Sequence, residues 1–311
     1  MNAYQNLKRK LDTGGIAILD GATGTELQQR GVSMNPQAWC GPATLQHDAL
    51  LTQIHIDYIN AGSEVITANT YASSRLLLEP AGFGGQVNEI NHRAVEAALK
   101  ARDATHPDVA VAGSMSHEVS LLGDDSGDGQ HTHPSDNKIS DAFHELAHIH
   151  KEAGVDFIML EMMCEPQRVT LAVEAALSTG LPVWFGLSAK AGVNGELLCF
   201  PQSEDIPIAE LLNLIPTQGI DVAGPMHTRA DLVEPILKEL PKYFSGPRMA
   251  YPDSGHFEMP DWVFRDVLAP QDLETYFMTW LAHDVQAIGG CCGLTVRHIE
   301  AAVQARERYL I

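Results

Sequence analysis

The sequence predicts an α/β protein built as a single (β/α)8 barrel. Eight short, almost continuously apolar segments recur along the 311 residues, and helical segments separate them. Such alternation is typical of a parallel sheet, and near-continuous hydrophobicity indicates strands that are buried on both faces. The length suits one barrel domain, so a closed barrel is favoured. A doubly wound open sheet is the alternative.

The eight predicted strands are rich in Val, Ile, Ala and Phe, and each is followed by glycine or polar residues. In chain order they are IAILDG from Ile16, EVITANT from Glu64, VAVAGSM from Val109, FIMLEMM from Phe157, VWFGLSA from Val183, GIDVAGP from Gly219, MAYPDS from Met249 and AIGGCCG from Ala287.

The segments between the strands have helical periodicity and recognisable ends. HDALLTQIHIDYINAG carries apolar residues at helical spacing and is expected to end at Gly62. SDAFHELAHIHKEAG begins with the capping-type residue Ser140 and ends at Gly154. PQRVTLAVEAALSTG begins at Pro166, a residue favoured in the first helical turn, and ends at Gly180.

One segment, at about 123–138, departs from this alternation. It is polar and rich in Gly, Asp and Ser, which predicts a flexible insertion after the third strand. Because it follows a strand end, a lid over a site is the alternative to a plain insertion. The predicted organisation is one domain over residues 1–311 with this single insertion.

The charge and the cysteines narrow the function classes. With 40 acidic and 20 basic residues the net charge is −20, which disfavours nucleic acid and anionic membranes as partners. The chain shows no secretory signal and no apolar run of about 18 residues. The odd number of cysteines predicts reduced thiols in the cytoplasm. Nothing in the sequence indicates an oligomeric state. The cysteines are Cys40, Cys164, Cys199, Cys291 and Cys292.

Polar residues and thiols follow the predicted strands. In a (β/α)8 barrel the functional groups cluster at the carboxyl ends of the strands, so these residues are expected to converge. They are Asp20, Asn69, Ser114, Glu161, Asp221, Asp253 and the adjacent pair Cys291 and Cys292.

Five motifs in this order span nearly the whole chain: DGATGTELQQRG from Asp20, ITANTYASS from Ile66, AGSMS from Ala112, YPDSG from Tyr251 and GGCCG from Gly289. They resemble motifs of the homocysteine S-methyltransferase family. The resemblance implies a (β/α)8 barrel that uses zinc to move a methyl group to the sulfur of homocysteine, a reaction of methionine biosynthesis.

The chemistry explains why zinc would be needed. A thiol with a pKa of about 8.5 is mostly protonated at neutral pH, whereas only the thiolate is a good nucleophile. Zinc coordination removes the proton, and a catalytic zinc keeps one position open for the substrate. By resemblance, Cys291 and Cys292 supply two ligands. A buried pair of small apolar thiols is the alternative.

The third ligand is where the sequence departs from the family pattern. Family members read G-[IV]-N-C on the sixth strand, and residues 219–222 read G-I-D-V, so Val222 stands where the zinc cysteine is expected. Asp221 should point away from the site because side chains alternate along a strand. His227, after the sixth strand, and Cys164, after the fourth, are the candidate replacements. Loss of the metal site is the third possibility.

The resemblance also implies the substrate contacts. Glu161 is expected to bind the ammonium group of the acceptor, although Met162 replaces the threonine that follows this glutamate in the family. Backbone amides where a helix begins could receive the acceptor carboxylate, with plain helix capping as the alternative. The predicted substrate-binding residues are Asp20, Thr23, Gly24, Thr25, Asn69, Ser114 and Glu161.

The predicted donor is a sulfonium or quaternary ammonium cation, because the chain has no room for the cobalamin or folate domains of larger relatives. Aromatic faces bind such cations, and Trp39 and Tyr71 are the candidates, with core packing as the alternative role. The predicted function is methyl transfer to homocysteine or a related thiol, with no catalytic residue beyond the metal-activated substrate thiol. The alternative is a divergent, metal-poor relative with another acceptor or a non-catalytic amino-acid-binding role.

Overall fold

A computed structural model of the chain describes residues 2–118, 134–200, 205–258 and 263–311. Its centre is an eight-stranded parallel sheet in the order β1-β8-β7-β6-β5-β4-β3-β2, which confirms the predicted fold class and all eight predicted strands. The strands are β1 Ala17–Ile18, β2 Val65–Ala68, β3 Ala110–Ser116, β4 Phe157–Met163, β5 Val183–Leu187, β6 Ile220–Arg229, β7 Arg248–Asp253 and β8 Val285–Ile288.

The sheet closes between β1 and β2 with the help of two carboxylates. The backbone amide of Glu64 donates to the carbonyl of Ile18 at 2.7 Å, and the Glu64 side chain accepts from the Ile18 amide at 3.1 Å. Further along, the Asp20 carboxylate accepts from the Thr67 amide at 2.6 Å. These acidic side chains pair backbone donors that a regular ladder would otherwise satisfy.

The helices lie between the strands and cover the sheet. They are α1 Ala3–Asp12, α2 Thr23–Gln29, α3 Thr44–Asn60, α4 Arg75–Leu78, α5 Val87–Thr105, α6 Asp136–Ala153, α7 Pro166–Ser178, α8 Ile208–Leu212, α9 Ala230–Glu239, α10 Pro270–Leu281 and α11 Val296–Tyr309. Short antiparallel hairpins pair residues 189–191 with 197–199 and 256–258 with 263–265. Within the described ranges, no helix is both long enough and apolar enough to cross a bilayer.

Helix ends agree with the glycine positions, but one helix start differs. Gly62, Gly154 and Gly180 each follow a helix with a positive φ, as predicted. Helix α6 begins at Asp136 rather than near Ser140, because the Ser135 hydroxyl accepts from a first-turn amide and caps it earlier. The last residues of the predicted insertion at about 123–138, from Asp136 onward, are therefore helical. The part of the insertion before residue 134 lies outside the described residues.

Helix α1 covers the amino-terminal end of the barrel. Tyr4, with Leu7 and Leu11 of the same helix, is buried against the side chains that fill the barrel interior. The Tyr4 hydroxyl donates to Asp221 at 2.6 Å and accepts from the indole nitrogen of Trp184 at 3.0 Å. Asp221 thus lies at the covered end, so the prediction that it joins the polar groups at the carboxyl ends of the strands is wrong, because β6 continues to Arg229.

A buried histidine outside the site makes stability depend on pH. His150 of α6 packs against Gly113 of β3, and neither ring nitrogen has a hydrogen-bond partner among the described residues. Burial lowers its pKa to about 3. The folded protein therefore keeps the ring neutral, whereas the unfolded chain protonates it below about pH 6.5. Since the unfolded state binds more protons, this residue destabilises the fold increasingly as pH falls from about 6.5 towards 3.

We expect His150→Leu to remove this penalty. The free energy of unfolding of the variant minus that of the wild type should grow by about 1.4 kcal/mol per pH unit between about pH 6 and 4. Urea unfolding at several pH values measures the difference. His148→Leu, at an exposed position on the same helix, is the matched control. Parallel pH profiles for wild type and His150→Leu would contradict the assignment.

Candidate active site

Strand β6 carries the correction to the predicted ligand position. It runs for ten residues, Ile220–Arg229, and so continues beyond the predicted segment. Val222 is buried in the barrel interior and pairs with Trp184 of β5, whose indole nitrogen donates to Tyr4 of α1. The prediction that Val222 stands at the ligand position is therefore wrong in register. The residue of β6 that reaches the cysteine pair is His227.

Two glycines, one before this strand and one within it, allow two placements of the family pattern. Gly219 precedes the strand with φ +87, a conformation that glycine adopts readily. Gly224 lies inside the strand, where a Cβ atom would come within 1.9 Å of the Met249 carbonyl oxygen on β7. Placing the G-[IV]-N-C pattern on residues 224–227, G-P-M-H, aligns His227 with the cysteine.

His227, Cys291 and Cys292 form a compact group of potential metal ligands. The Nδ1 atom of His227 lies 3.6 Å from the Cys291 sulfur, and the two cysteine sulfurs are 3.9 Å apart. One ligand atom from each residue lies within 4.8 Å of the others. Cys291 is buried and Cys292 is half-buried.

These separations match the edges of a tetrahedral zinc site. With Zn–S bonds of about 2.3 Å and Zn–N bonds of about 2.0–2.1 Å, tetrahedral angles give about 3.8 Å between two sulfurs and about 3.6 Å between sulfur and nitrogen. The observed distances of 3.9 and 3.6 Å agree with both edges. Two thiols and one imidazole are also ligand types that zinc prefers. The residues present therefore fit a zinc ion with three protein ligands.

The backbone at His227 is held in an uncommon conformation. Its φ is +48, in the left-handed region that only a few residue types tolerate well. The Ser188 hydroxyl donates to the His227 carbonyl, and the Ala189 amide donates to the hydroxyl of Thr228 at 3.1 Å. The Phe200 ring meets the imidazole edge to face, with centroids 5.8 Å apart. Residues after β5 thus fix the direction of this side chain.

The electrostatics favour a cation at this position. Burial on its own would lower the pKa of His227, but the hydrogen bond to Cys291 and the nearby acidic groups raise it to about 9. The hydrogen bond that the Cys291 thiol donates to Cys292, together with burial, raises the pKa of Cys291. Without a cation the group holds its protons, and a metal ion would replace them.

Glu161 and Ser114 lie beside the cysteines, as their positions at strand ends predicted. The Ser114 hydroxyl donates to one carboxylate oxygen of Glu161 at 2.5 Å, and the Cys291 sulfur lies 3.6 Å from the other. Burial raises the pKa of Glu161, while the bond from Ser114 opposes that shift. A buried carboxylate with one serine donor can still accept from a cationic substrate group.

Asp20 and Asn69 make most of their contacts with the protein frame. Asp20 is fully buried and accepts from Thr67 and from the Tyr251 hydroxyl, the latter at 2.9 Å. Burial raises its pKa to about 7, although these hydrogen bonds oppose the shift. The Asn69 amide accepts from the Cys40 thiol at 3.1 Å and donates to the Cys40 carbonyl at 3.0 Å.

The start of α2 lies close to the cysteine loop. The helix begins at Thr23, and a Cβ atom on Gly24 would come within 2.4 Å of the Trp39 ring. The hydroxyl of Thr25 accepts from the Gly293 amide at 3.2 Å, which ties α2 to the residue after Cys292. This segment therefore supports the loop that carries both cysteines.

The predicted donor-binding aromatics contact each other. Trp39 and Tyr71 meet edge to face, with ring centroids 6.1 Å apart. The Tyr71 hydroxyl donates to the sulfur of Met162, which follows Glu161 and has φ +58. Tyr71 thus lies next to the carboxylate of the site. Met162 contributes a soft apolar group in place of the threonine of the family pattern.

Cys164 lies outside the metal-binding group. Its sulfur is 3.3 Å from Nε2 of His117, and the same nitrogen accepts from the Cys164 amide at 2.8 Å.

The sequence analysis did not identify Tyr251, which donates to Asp20, or Phe200, which contacts the His227 ring. Tyr251 stands within a motif that was recognised, whereas Phe200 follows a hairpin that no sequence signal marked.

Comparisons with known proteins agree with one another. The family model for homocysteine S-methyltransferase matches residues 17–306. Homocysteine S-methyltransferase 2 of Arabidopsis thaliana is 26% identical over 334 residues, covering 96% of each chain. Selenocysteine Se-methyltransferase of Brassica oleracea var. italica is 27% identical over 325 residues, covering 96% of this chain and 91% of that protein. The metallated form of the homocysteine methyltransferase MmuM from Escherichia coli superposes with a TM-score of 0.74 at 24% identity, covering 99% of this chain and 100% of that one, which supports the fold.

Proposed function

Since the chain belongs to the homocysteine S-methyltransferase family, and is a methyltransferase of that type, we propose that it holds zinc through His227, Cys291 and Cys292. It would transfer a methyl group from a sulfonium or quaternary ammonium donor to the thiol of homocysteine or to a related thiol or selenol. The observation that carries the proposal is the agreement of the two distances around Cys291 with tetrahedral zinc geometry.

Bound zinc would lower the pKa of the acceptor thiol and leave a thiolate as the nucleophile. The residues of the chain bind and orient the substrate around that position. Glu161 lies 3.6 Å from Cys291 and is placed to accept from the acceptor ammonium group, which a short carbon chain separates from the sulfur. The short bond from Ser114 keeps the carboxylate turned towards the site.

The donor would bind over the acceptor on the aromatic side of the site. Tyr71 and Trp39 offer ring faces and edges, and the sulfur of Met162 adds a polarizable contact. A cationic group next to Glu161 is favoured because it pairs with the buried carboxylate. The proposed substrate pocket also includes Asp20, Thr23, Gly24, Thr25 and Asn69. Of these, Asp20, Thr25 and Asn69 also make hydrogen bonds that support the pocket wall.

We also propose a single domain and a reducing compartment, the cytoplasm. The family match over residues 17–306 and the single eight-stranded sheet support one domain. All five cysteines are free thiols, and thiolate ligands bind zinc only when they are kept reduced.

We expect the double variant Cys291→Ser/Cys292→Ser to lose both metal and activity. Purified wild type should carry about one zinc per chain, and the variant less than about a tenth of that, because serine is a poor zinc ligand. Metal content by mass spectrometry and methionine formation from S-methylmethionine and homocysteine are the measurements. Cys199→Ser, a buried cysteine outside the group, is the matched control. A metal-free wild type with full activity would overturn the proposed function.

A further inference from the structure

Asp253 lies at the end of β7, beside His227. Its Oδ2 atom is 3.9 Å from the Nε2 atom of the imidazole. Its Oδ1 atom is buried and has no hydrogen-bond partner within the described part of the chain. A buried carboxylate oxygen without a donor is costly, so its position calls for an explanation.

The orientation of the imidazole shows which donor is within reach of the other oxygen, Oδ2. Nδ1 faces the Cys291 sulfur at 3.6 Å, so Nε2 is the nitrogen that points towards Asp253. Strands β6 and β7 are paired, with Met226 opposite Tyr251 and Arg229 opposite Asp253. This pairing brings His227 close to the level of Asp253 in the barrel. A small rotation of either side chain would shorten the Nε2–Oδ2 distance to that of a charge-assisted hydrogen bond, about 2.8 Å.

We propose that Asp253 is a positioning residue for the third metal ligand, an inference that rests on the proposed function. It accepts the Nε2 proton of His227, fixes the tautomer in which Nδ1 is the ligand atom, and increases the basicity of that nitrogen. Metal-binding histidines commonly donate their second N–H to a carboxylate in this way. A cysteine at position 227 would have no second donor, so the role of Asp253 is specific to a histidine ligand.

The test compares zinc affinity, measured by competition with a chromophoric chelator. The four proteins compared are the wild type, Asp253→Asn, His227→Cys and the variant with both substitutions. Asp253→Asn in the wild-type background should weaken zinc binding about 10- to 100-fold. The same substitution in a His227→Cys background should change the affinity less than about twofold, because there is no ring N–H to orient.

Asp231→Asn is the matched control for charge. It removes a carboxylate just after β6, but one that pairs with Arg229 at 2.7 Å and is exposed. Its zinc affinity should equal that of the wild type. Equal losses for Asp231→Asn and Asp253→Asn, or an equal effect of Asp253→Asn in both backgrounds, would overturn the proposal in favour of a general charge effect.

A second measurement uses the unaltered protein, so the proposal does not depend on whether the variants fold. Nitrogen-15 NMR of zinc-loaded wild type should show a metal-bound Nδ1 and a protonated Nε2 for His227. A metal-bound Nε2 with a protonated Nδ1 would refute the role of Asp253 while leaving the zinc site intact. A wild type that binds no zinc would instead refute the proposed function itself.

Discussion

Replacing His227 with asparagine is expected to lower both zinc affinity and methyl transfer by about a thousandfold or more, since one of only three protein ligands is lost. Asparagine is suited to this position because it tolerates the left-handed backbone, φ +48, better than most residues. The fold should therefore survive, and the unfolding midpoint of the metal-free protein should change little.

His227→Cys is the matched ligand-exchange variant. It gives the site three thiolate ligands, at positions 227, 291 and 292. Zinc binding should therefore be retained or become tighter. The positive φ is unfavourable for cysteine as it is for histidine, so a small loss of stability is expected. Zinc affinity and the rate of methyl transfer to homocysteine measure the outcome. If His227→Asn bound zinc as tightly as the wild type, the third ligand would have to be another group.

The second large effect concerns the acceptor. We expect Glu161→Gln to reduce kcat/KM for homocysteine about 30-fold or more, because removing one partner of a buried charged hydrogen bond costs about 2–5 kcal/mol. Zinc content should stay unchanged, since the carboxylate contacts Cys291 without belonging to the ligand group. That combination separates a loss of substrate binding from a loss of metal.

A substrate analogue provides the control for Glu161. With 4-mercaptobutanoate, which lacks the amino group of homocysteine, wild type and Glu161→Gln should react at similar low rates. The ratio of kcat/KM for homocysteine to kcat/KM for 4-mercaptobutanoate should therefore be much smaller in the variant than in the wild type. A variant that still preferred homocysteine by the wild-type factor would show that the ammonium group binds elsewhere.

The strands were predictable from sequence because each is an apolar run interrupted by helices of clear periodicity. The convergence of Ser114, Glu161 and Cys291 was predictable for the same reason, since carboxyl ends of parallel strands meet at one end of a barrel. These positions follow from element order alone and require no knowledge of side-chain contacts.

The register of β6 was not predictable in the same way. The family pattern can be placed to begin at either of two glycines, Gly219 or Gly224, and only the three-dimensional pairing separates the two placements. Val222 is held opposite Trp184 by a register shift between β5 and β6, which no residue type announces. His227 was expected in a loop because the strand extends beyond the apolar run that defined it.

The structural role of Asp20 also lay beyond sequence reasoning. Its place at a strand end suggested a substrate contact, yet its carboxylate pairs the Thr67 amide across the closure of the sheet. Whether a strand-end acid serves the frame or the ligand depends on which backbone donors the neighbouring strand leaves unpaired, and that depends on strand pairing.

Helix α1 has a consequence for the order of events. Among the described residues, Tyr4, Trp184 and Asp221 are joined by hydrogen bonds at the end of the barrel that α1 covers, so donor and acceptor are both expected to enter from the opposite end. In the proposed reaction the acceptor sits deeper, against the metal ligands, and the donor lies above it. The acceptor is then expected to arrive first and to leave last, as its methylated product, once the spent donor has cleared the way.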